Sequence, residues 1–163
     1  MELVAPPGVV ELPERPTLGI RVVTPFRGML GAADELSREL RAWVAKRDVE
    51  TVAFGFGRLY VVDMSGPMDI EVGFVTRNPC EGDERVRAGA FPAGRYATPT
   101  YVNHGIPANL ALIEWAHDNG HALGRHEVAE GDAFACRHEQ VLTDPKTEPR
   151  KTRQRTELAI KLA

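Results

Sequence analysis

Two glutamates and two tyrosines are the side chains of this sequence best suited to binding or catalysis. Glu71 lies in the segment DIEVGF and Glu139 in RHEQVL, and both segments are typical of β-strands. Tyr96 and Tyr101 belong to a third strand-like stretch, Arg85 to Val102. A carboxylate among aromatic side chains attracts a cationic ligand, and beside a tyrosine hydroxyl it could also transfer protons. The alternative for either glutamate is an ordinary strand residue, solvated or paired with an arginine.

Three histidines near the second predicted helix raise the question of a metal site. His117 and His121 have the i, i+4 spacing of a zinc-binding helix, and His126 follows closely. Asn119-Gly120, however, predicts that the helix ends between the first two, so they would not share one helical face. We therefore expect no metal and no cofactor.

Composition narrows the class of protein. A chain of 163 residues that is 43% hydrophobic has the size and apolar content of one domain, residues 1–163. The net charge of −3 argues against direct nucleic-acid binding.

The segment Met1–Val10 lacks the basic start and long apolar run of a secretory signal, and no apolar run in the sequence approaches the length of a membrane span. Cys80 and Cys136 fit neither a disulfide framework nor a zinc spacing. We expect a cytoplasmic protein with reduced thiols, whose oligomeric state is left open.

The elements that would position the glutamates follow a pattern. Thr17–Thr24 is rich in β-branched residues and predicts a strand, and an amphipathic helix then ends near Asp48. Two strands follow, Val52–Val62 and Met68–Thr76, with a turn at residues 65–67.

A second unit of the same kind occupies the rest of the chain. After the stretch 85–102, a helix is predicted over Ala108–Asp118 and strands around Val128–Val141 and Thr156–Leu162. Each helix carries a tryptophan near its end and each final hairpin a glutamate, which suggests a duplication with halves at about 10–77 and 85–163. The predicted fold is α+β: a tandem βαββ repeat whose antiparallel sheet has both helices on one face and a ligand groove on the other.

Residue alternation predicts the face that each glutamate takes. In Met68–Val75 the even positions are apolar, so they should pack under the helices while Glu71 points away. The strand ending at Leu142 mixes polar and apolar residues on both faces. Phe134 and Leu142 are apolar and belong to the same alternate set of residues, so this set is expected to form the helix-covered face. Glu139 belongs to the other set and would then face the groove on the opposite side.

Several short motifs, in their order, resemble the GyrI-like small-molecule-binding domain, which also forms the effector-binding half of AraC- and MerR-type activators. The run HEQVLTDPKTEPRKTRQRTELAIKL is similar to that family's glutamate-bearing strand, Asp-Pro turn and closing strand. PAGRYA, IEWA and IEVGF resemble the start of its second half, its second helix and the end of its first half. The resemblance covers about residues 10–163 and implies a tandem βαββ fold with a pocket at the junction and no appended DNA-binding domain.

The resemblance also implies roles for particular residues. In the family, the matching glutamate contacts the ligand, often a lipophilic cation, and that position is Glu139 here. Tyr96 matches a common family tyrosine, and Trp115 matches the helix tryptophan, for which core packing is the main expectation. Val141 stands where the family usually has an aromatic residue, which implies a wider or less cation-friendly pocket. HGIPAN replaces the glycine-aromatic step before the second helix.

Three functions are compatible with these observations. The first is binding of a lipophilic or cationic small molecule, with a wider set of candidate ligand-binding residues: Glu139, Glu71, Tyr96, Tyr101, Phe54, Phe56 and Trp115. The second is hydrolysis, because some stand-alone family members are similar to hydrolases that open cyclopropane-bearing genotoxic compounds. Glu139 with Tyr96 or Tyr101 would then be the catalytic pair. The third is inhibition of a protein partner such as gyrase through the basic stretch Lys146–Arg155, which a solvated loop also explains.

Overall fold

The computed structural model describes residues 1–163, and its centre is one antiparallel sheet of ten strands accompanied by two helices. This confirms the predicted α+β fold. The elements in chain order are β1 (Glu2–Leu12), β2 (Arg15–Pro25), α1 (Met29–Lys46), β3 (Thr51–Val62), β4 (Pro67–Thr76), β5 (Arg87–Phe91), β6 (Gly94–Val102), α2 (Gly105–Asp118), β7 (Arg125–Val128), β8 (Gly131–Phe134), β9 (Arg137–Val141) and β10 (Thr156–Lys161). A 3-10 turn at Lys151–Arg153 lies between β9 and β10. Neither helix is long and apolar enough to cross a membrane.

The order of strands in the sheet is β1-β6-β10-β9-β3-β4-β2-β5, with the β7–β8 hairpin attached to β3. This order is symmetric about the contact between β9 and β3, as a tandem βαββ repeat requires. The counterpart of β9 is therefore β3, and that of β4 is β10. Glu139 on β9 and Glu71 on β4 consequently do not occupy equivalent strands, although each lies in the final hairpin of its half.

Both helices cover one face of the sheet, which we call the helix face. α1 packs against β2 and β4, and α2 packs against β6 and β1. The strands expose alternate apolar side chains to the helices, which gives two separate cores. Under α1 lie Leu18, Ile20, Leu40, Val44, Phe74 and Val86. Under α2 lie Ala97, Tyr101, Ala108, Leu112, Phe134, Leu158, Ile160 and Leu162.

The opposite face of the sheet is buried as well, although no helix covers it. Its core consists of Phe56, Val75, Phe91, Tyr96, Cys136 and Ala159. His138 lies among them with no exposed surface, and its ring stacks on Phe91 with the centroids 4.0 Å apart. This face is therefore filled at its centre, and the groove expected there is absent.

Two parts of the sheet were not predicted from the sequence. β1 contains Pro6 and Pro7, which argue against an interior strand, but β1 lies at the edge, where proline is tolerated. The β7–β8 hairpin precedes β9, so the single long strand predicted around Val128–Val141 is in fact interrupted. α2 also begins at Gly105, three residues before its predicted start.

Candidate functional site

The strand register places Glu139 on the helix face, which corrects the face predicted for it. Glu139 pairs with Leu158 on one side and with Gly57 on the other. Directly paired residues share a face, and Leu158 belongs to the core under α2. The prediction failed because it assumed that only one face of the sheet is buried. Cys136 and His138 of the other set are also buried, on the face without helices.

The two central strands leave an opening between the helices. α1 packs mainly on β2 and β4 and α2 mainly on β6 and β1, so the two helices make few contacts with β3 and β9. Gly57, in the middle of β3, is exposed despite its central position. A Cβ atom added to Gly57 would have no heavy atom within 4 Å. Open space therefore remains on the helix face above Gly57, the cross-strand neighbour of Glu139, and we call this space between α1 and α2 the groove.

One carboxylate oxygen of Glu139 is held by two donors. The Tyr101 hydroxyl and the Asn109 side-chain amide each donate a hydrogen bond of 2.9 Å to Oε1. Tyr101 comes from β6 and Asn109 from the first turns of α2, so packing of the helix on the sheet brings the three side chains together. The other oxygen, Oε2, accepts no hydrogen bond within the protein. Glu139 is half-buried, so Oε2 remains able to receive a donor from a bound molecule.

The Tyr101 hydroxyl is a proton donor under all ordinary conditions. Burial raises its pKa well above the usual value, and the negative charge of Glu139 and the hydrogen bond between the two raise it further. The side chain is 6% exposed, which supports this shift. Tyr101 therefore keeps its proton and directs it toward Glu139.

Asn109 connects Glu139 with a buried cation. Arg137, two residues before Glu139 on β9, donates from Nε and Nη2 to the Asn109 Oδ1, at 3.2 and 2.6 Å. The Asn109 amide nitrogen also donates to the Gly105 carbonyl at 2.8 Å. Burial lowers the pKa of the Arg137 guanidinium, and the charge of Glu139 opposes that change. The result is a continuous chain of hydrogen bonds from Arg137 through Asn109 to Glu139.

The start of α2 approaches this chain of contacts closely. A Cβ on Gly105 would lie 3.2 Å from both Glu139 Oε1 and the Tyr101 hydroxyl. A cavity of about 240 Å³ adjoins the pair, between the turn before α2 and the β9–β10 connection, and Tyr101, Gly105, Lys151 and Thr156 contribute to its walls. Lys151 also donates to Asp34 of α1 at 2.7 Å, so this connection spans from the sheet to the other helix.

A second cavity lies elsewhere in the molecule. Its volume is about 460 Å³, and it is found between the β3–β4 turn and the β7–β8 hairpin, where Asp63, Met64, Glu127 and Asp132 line it. None of the residues around Glu139 contributes to it. Although this hollow is larger, it contains no arrangement of donor and acceptor groups comparable to that at Glu139.

Of the two candidate tyrosines, the structure pairs Glu139 with Tyr101. Tyr96 points to the face without helices, has no exposed surface, and donates its hydroxyl to the Pro92 carbonyl at 2.6 Å. Phe56 lies on the same face, with its ring edge-on to Phe91 at 4.6 Å. These two aromatic side chains fill a core and do not border the groove.

Glu71 forms a separate buried cluster on the face without helices. It is 5% exposed and accepts a hydrogen bond of 3.2 Å from the Tyr60 hydroxyl. Burial raises the pKa of Glu71, while the nearby charge of Arg58 acts in the opposite direction. Glu71 is therefore a buried glutamate whose hydrogen-bond partner is Tyr60, with no arginine in salt-bridge contact.

The remaining candidate residues lie at the edges of the groove or away from it. Phe54 is 38% exposed and belongs to an irregular part of β3, where Ala53 has a positive φ of 58°. Trp115 packs at the edge of the core under α2 and stacks on His121, with ring centroids 5.3 Å apart. His117 is exposed at the end of α2. In the basic stretch, Arg150 pairs with Glu148.

Sequence reasoning missed Asn109, Arg137, Gly57 and Gly105. Two of them had a detectable pattern. Arg137 and Glu139 are two residues apart in a strand and must share a face, which predicts interacting side chains. A glycine in the middle of an otherwise bulky strand, such as Gly57, commonly marks a close approach or a gap. Asn109 could not be placed without knowing which strand lies under α2.

Solved structures with the same arrangement of elements are known, whereas no family model and no curated protein matches the sequence. The chain is similar to the EcmrR C-terminal domain, with a TM-score of 0.73 and 16% identity over 99% of both chains. It spans 57% of the EcmrR chain in the EcmrR–DNA complex. It is also similar to SAV2435 bound to tetraphenylphosphonium, with a TM-score of 0.63 and 12% identity over 97% and 93% of the two chains. A hydrolase from Listeria innocua superposes with a TM-score of 0.60 and 13% identity over 96% and 91%. The resemblance found in the sequence motifs is thus confirmed at the level of the fold: this chain has the GyrI-like fold.

Proposed function

We propose that this protein binds a small, largely apolar organic molecule in the groove between α1 and α2, with Glu139 as the polar anchor. The observation that carries the proposal is the unequal use of the two carboxylate oxygens. Tyr101 and Asn109 fix Oε1, whereas Oε2 accepts no hydrogen bond, and Gly57, the cross-strand neighbour of Glu139, leaves open space. A fixed acceptor beside open space orients a ligand at little entropic cost.

The wall formed by α2 supports an apolar ligand. At 100° per residue, Ile106 and Ile113 lie on the same flank of the helix as Asn109, which faces Glu139. Ile106 is 56% exposed, although it is a large apolar residue. Exposed apolar side chains that border a concave site are typical of ligand-binding surfaces. SAV2435, which has the same fold, was solved with tetraphenylphosphonium bound, and this adds support.

A thermal-shift screen with charged and uncharged aromatic compounds, tetraphenylphosphonium among them, tests the proposal. We expect at least one compound to raise the Tm of the wild type and to lose most of that effect in Glu139→Gln. Glu157→Gln is the matched control, because Glu157 is also a half-buried strand glutamate but lies next to Leu158 on the opposite face. Equal shifts in wild type and Glu139→Gln, or no shift with any compound, would refute the role of Glu139.

Hydrolysis is a second candidate function, favoured by the hydrogen bond between Tyr101 and Glu139. With a cyclopropane-bearing substrate, Glu139 would take a proton from water as the water oxygen bonds to a ring carbon. The ring C–C bond would break, its electron pair moving to a conjugated oxygen that receives the Tyr101 proton. Glu139 would then return a proton to Tyr101, so the net reaction is addition of water.

Tyr101→Phe distinguishes the two functions. A binding protein should retain most of its affinity in this variant, because the lost hydroxyl donates to Oε1 and leaves Oε2 free. A hydrolase should lose turnover by a factor of about 100 or more, since the proton donor is gone. Product formation from a cyclopropane-bearing compound, followed by mass spectrometry, separates these outcomes. Absence of product with the wild type would exclude this reaction.

A further inference from the structure

The cation next to Glu139 has no carboxylate partner of its own. Arg137 is 8% exposed, packs over the Phe134 ring at 4.7 Å, and forms no salt bridge with any carboxylate. Its only side-chain partner is the Asn109 oxygen. A buried charge is costly unless another charge or a set of hydrogen bonds compensates it. The carboxylates whose charges favour the charged form of Arg137 are Glu139, on the same strand face, and Asp132, while the charge of Arg125 opposes it.

Arg137 determines which way the Asn109 amide points. A guanidinium group carries donors only, so the amide oxygen must face Arg137. The amide nitrogen is thereby turned toward Glu139, to which it donates. One amide group therefore separates the positive charge from the negative charge, and it is hydrogen-bonded to both.

This arrangement weakens the negative field that a ligand would meet at Glu139. A cation near Oε2 would be attracted by the carboxylate and repelled by the guanidinium one amide further away. The first turn of α2 lies over the carboxylate, as the close approach of Gly105 shows, and its helix dipole adds positive potential. An uncharged ligand that donates a hydrogen bond to Oε2 gains the same contact without that repulsion.

We propose that Arg137, acting through Asn109, makes this groove selective for uncharged ligands over cations. The inference rests on the proposed binding function and deepens it by naming the ligand class. Arg137 is a selectivity residue in this scheme. It does not touch the ligand, and its charge sets which ligands Glu139 can hold.

The test compares two compounds of similar bulk: tetraphenylphosphonium is the cation, and triphenylmethanol is the uncharged probe, whose hydroxyl can donate a hydrogen bond to Oε2. Their Kd values are measured by calorimetry with the wild type, Arg137→Gln and Arg137→Lys. Removal of the charge in Arg137→Gln should raise the affinity for the cation about tenfold relative to the uncharged probe. Arg137→Lys keeps the charge and should keep the wild-type ratio, which separates charge from packing.

An unchanged ratio in Arg137→Gln, with both probes bound, would overturn the role of Arg137 and leave the proposed groove intact. Failure of both probes to bind any of the three proteins would instead contradict the groove itself. If Arg137→Gln does not fold, Arg137→Met serves the same purpose, because it also removes the charge and keeps an unbranched side chain. The expected change in the ratio is then in the same direction.

Discussion

Gly57 and Glu139 lie directly opposite each other on neighbouring strands at the centre of the sheet. The cross-strand neighbour of Glu139 is thus a residue without a side chain. The space that a side chain at position 57 would occupy is open. Cross-strand pairs on one face normally fill the space between them. The pairing of a glutamate with a glycine is what keeps the floor of the groove accessible.

Gly57→Val should block the groove without destabilising the fold. The new side chain would meet no atom within 4 Å of its Cβ, and valine favours strand conformations more than glycine does. We expect the Tm to stay the same or rise slightly, while ligand-induced thermal shifts disappear. Gly8→Val is the control, because Gly8 of β1 also has open space but lies at the sheet edge. Undiminished ligand shifts in Gly57→Val would place the binding site elsewhere.

Gly73→Ala should have the opposite effect on stability. Gly73 pairs with Phe56 on the face without helices, where an added Cβ would overlap a Phe56 ring carbon and would lie 2.6 Å from the Leu18 backbone oxygen. The backbone oxygen cannot move without disturbing the β2–β4 pairing. Overpacking of this kind costs about 1–3 kcal/mol. Urea unfolding should show that loss, and a midpoint equal to that of the wild type would disprove the tight packing.

His138 should make the protein less stable at acidic pH. Burial, together with the charges of Arg15 and Arg58, lowers its pKa to about 3, whereas an unfolded chain has a histidine pKa of about 6.5. Between these values the unfolded chain binds a proton that the folded chain does not. The free energy of unfolding therefore falls as the pH is lowered from about 6.5 toward 3, by up to about 1.4 kcal/mol per pH unit from this group.

Comparison with His138→Gln isolates this contribution from that of the carboxylates. The variant lacks the titrating ring, so its free energy of unfolding, measured in urea at several pH values from 7 to 4.5, should decline less steeply. The difference between wild type and variant should shrink as the pH falls. Parallel pH profiles for the two proteins would show that His138 is protonated in the folded state.

Local patterns in the sequence were sufficient for much of the fold. The alternation in β4 correctly placed Phe74 under α1 and Glu71 on the other face, because the even residues from Met68 to Phe74 are all apolar. Both helices were found from their apolar spacing. The edge strand β1 was missed since its prolines resemble those of a loop, and only its position in the sheet makes them acceptable.

The site was less accessible to such reasoning because it depends on pairing between distant segments. Alternation in β9 gave the wrong face for Glu139, since both faces of the sheet are buried at that point and polarity no longer distinguishes them. The family resemblance singled out Glu139, but its contacts with Tyr101 and Asn109 join residues 38 and 30 positions away. Only the register of β9, β10 and β6 beneath α2 brings these groups together.

The carboxylate on β9 and the glycine on β3 give the proposed ligand site one polar, charged side and one side without a side chain. The polar side lies toward α2, and the other lies toward α1. The two ends of an elongated ligand would thus have unlike surroundings, so the ligand would bind in one orientation instead of two. A fold with nearly twofold symmetry can therefore bind an unsymmetrical ligand in a single orientation.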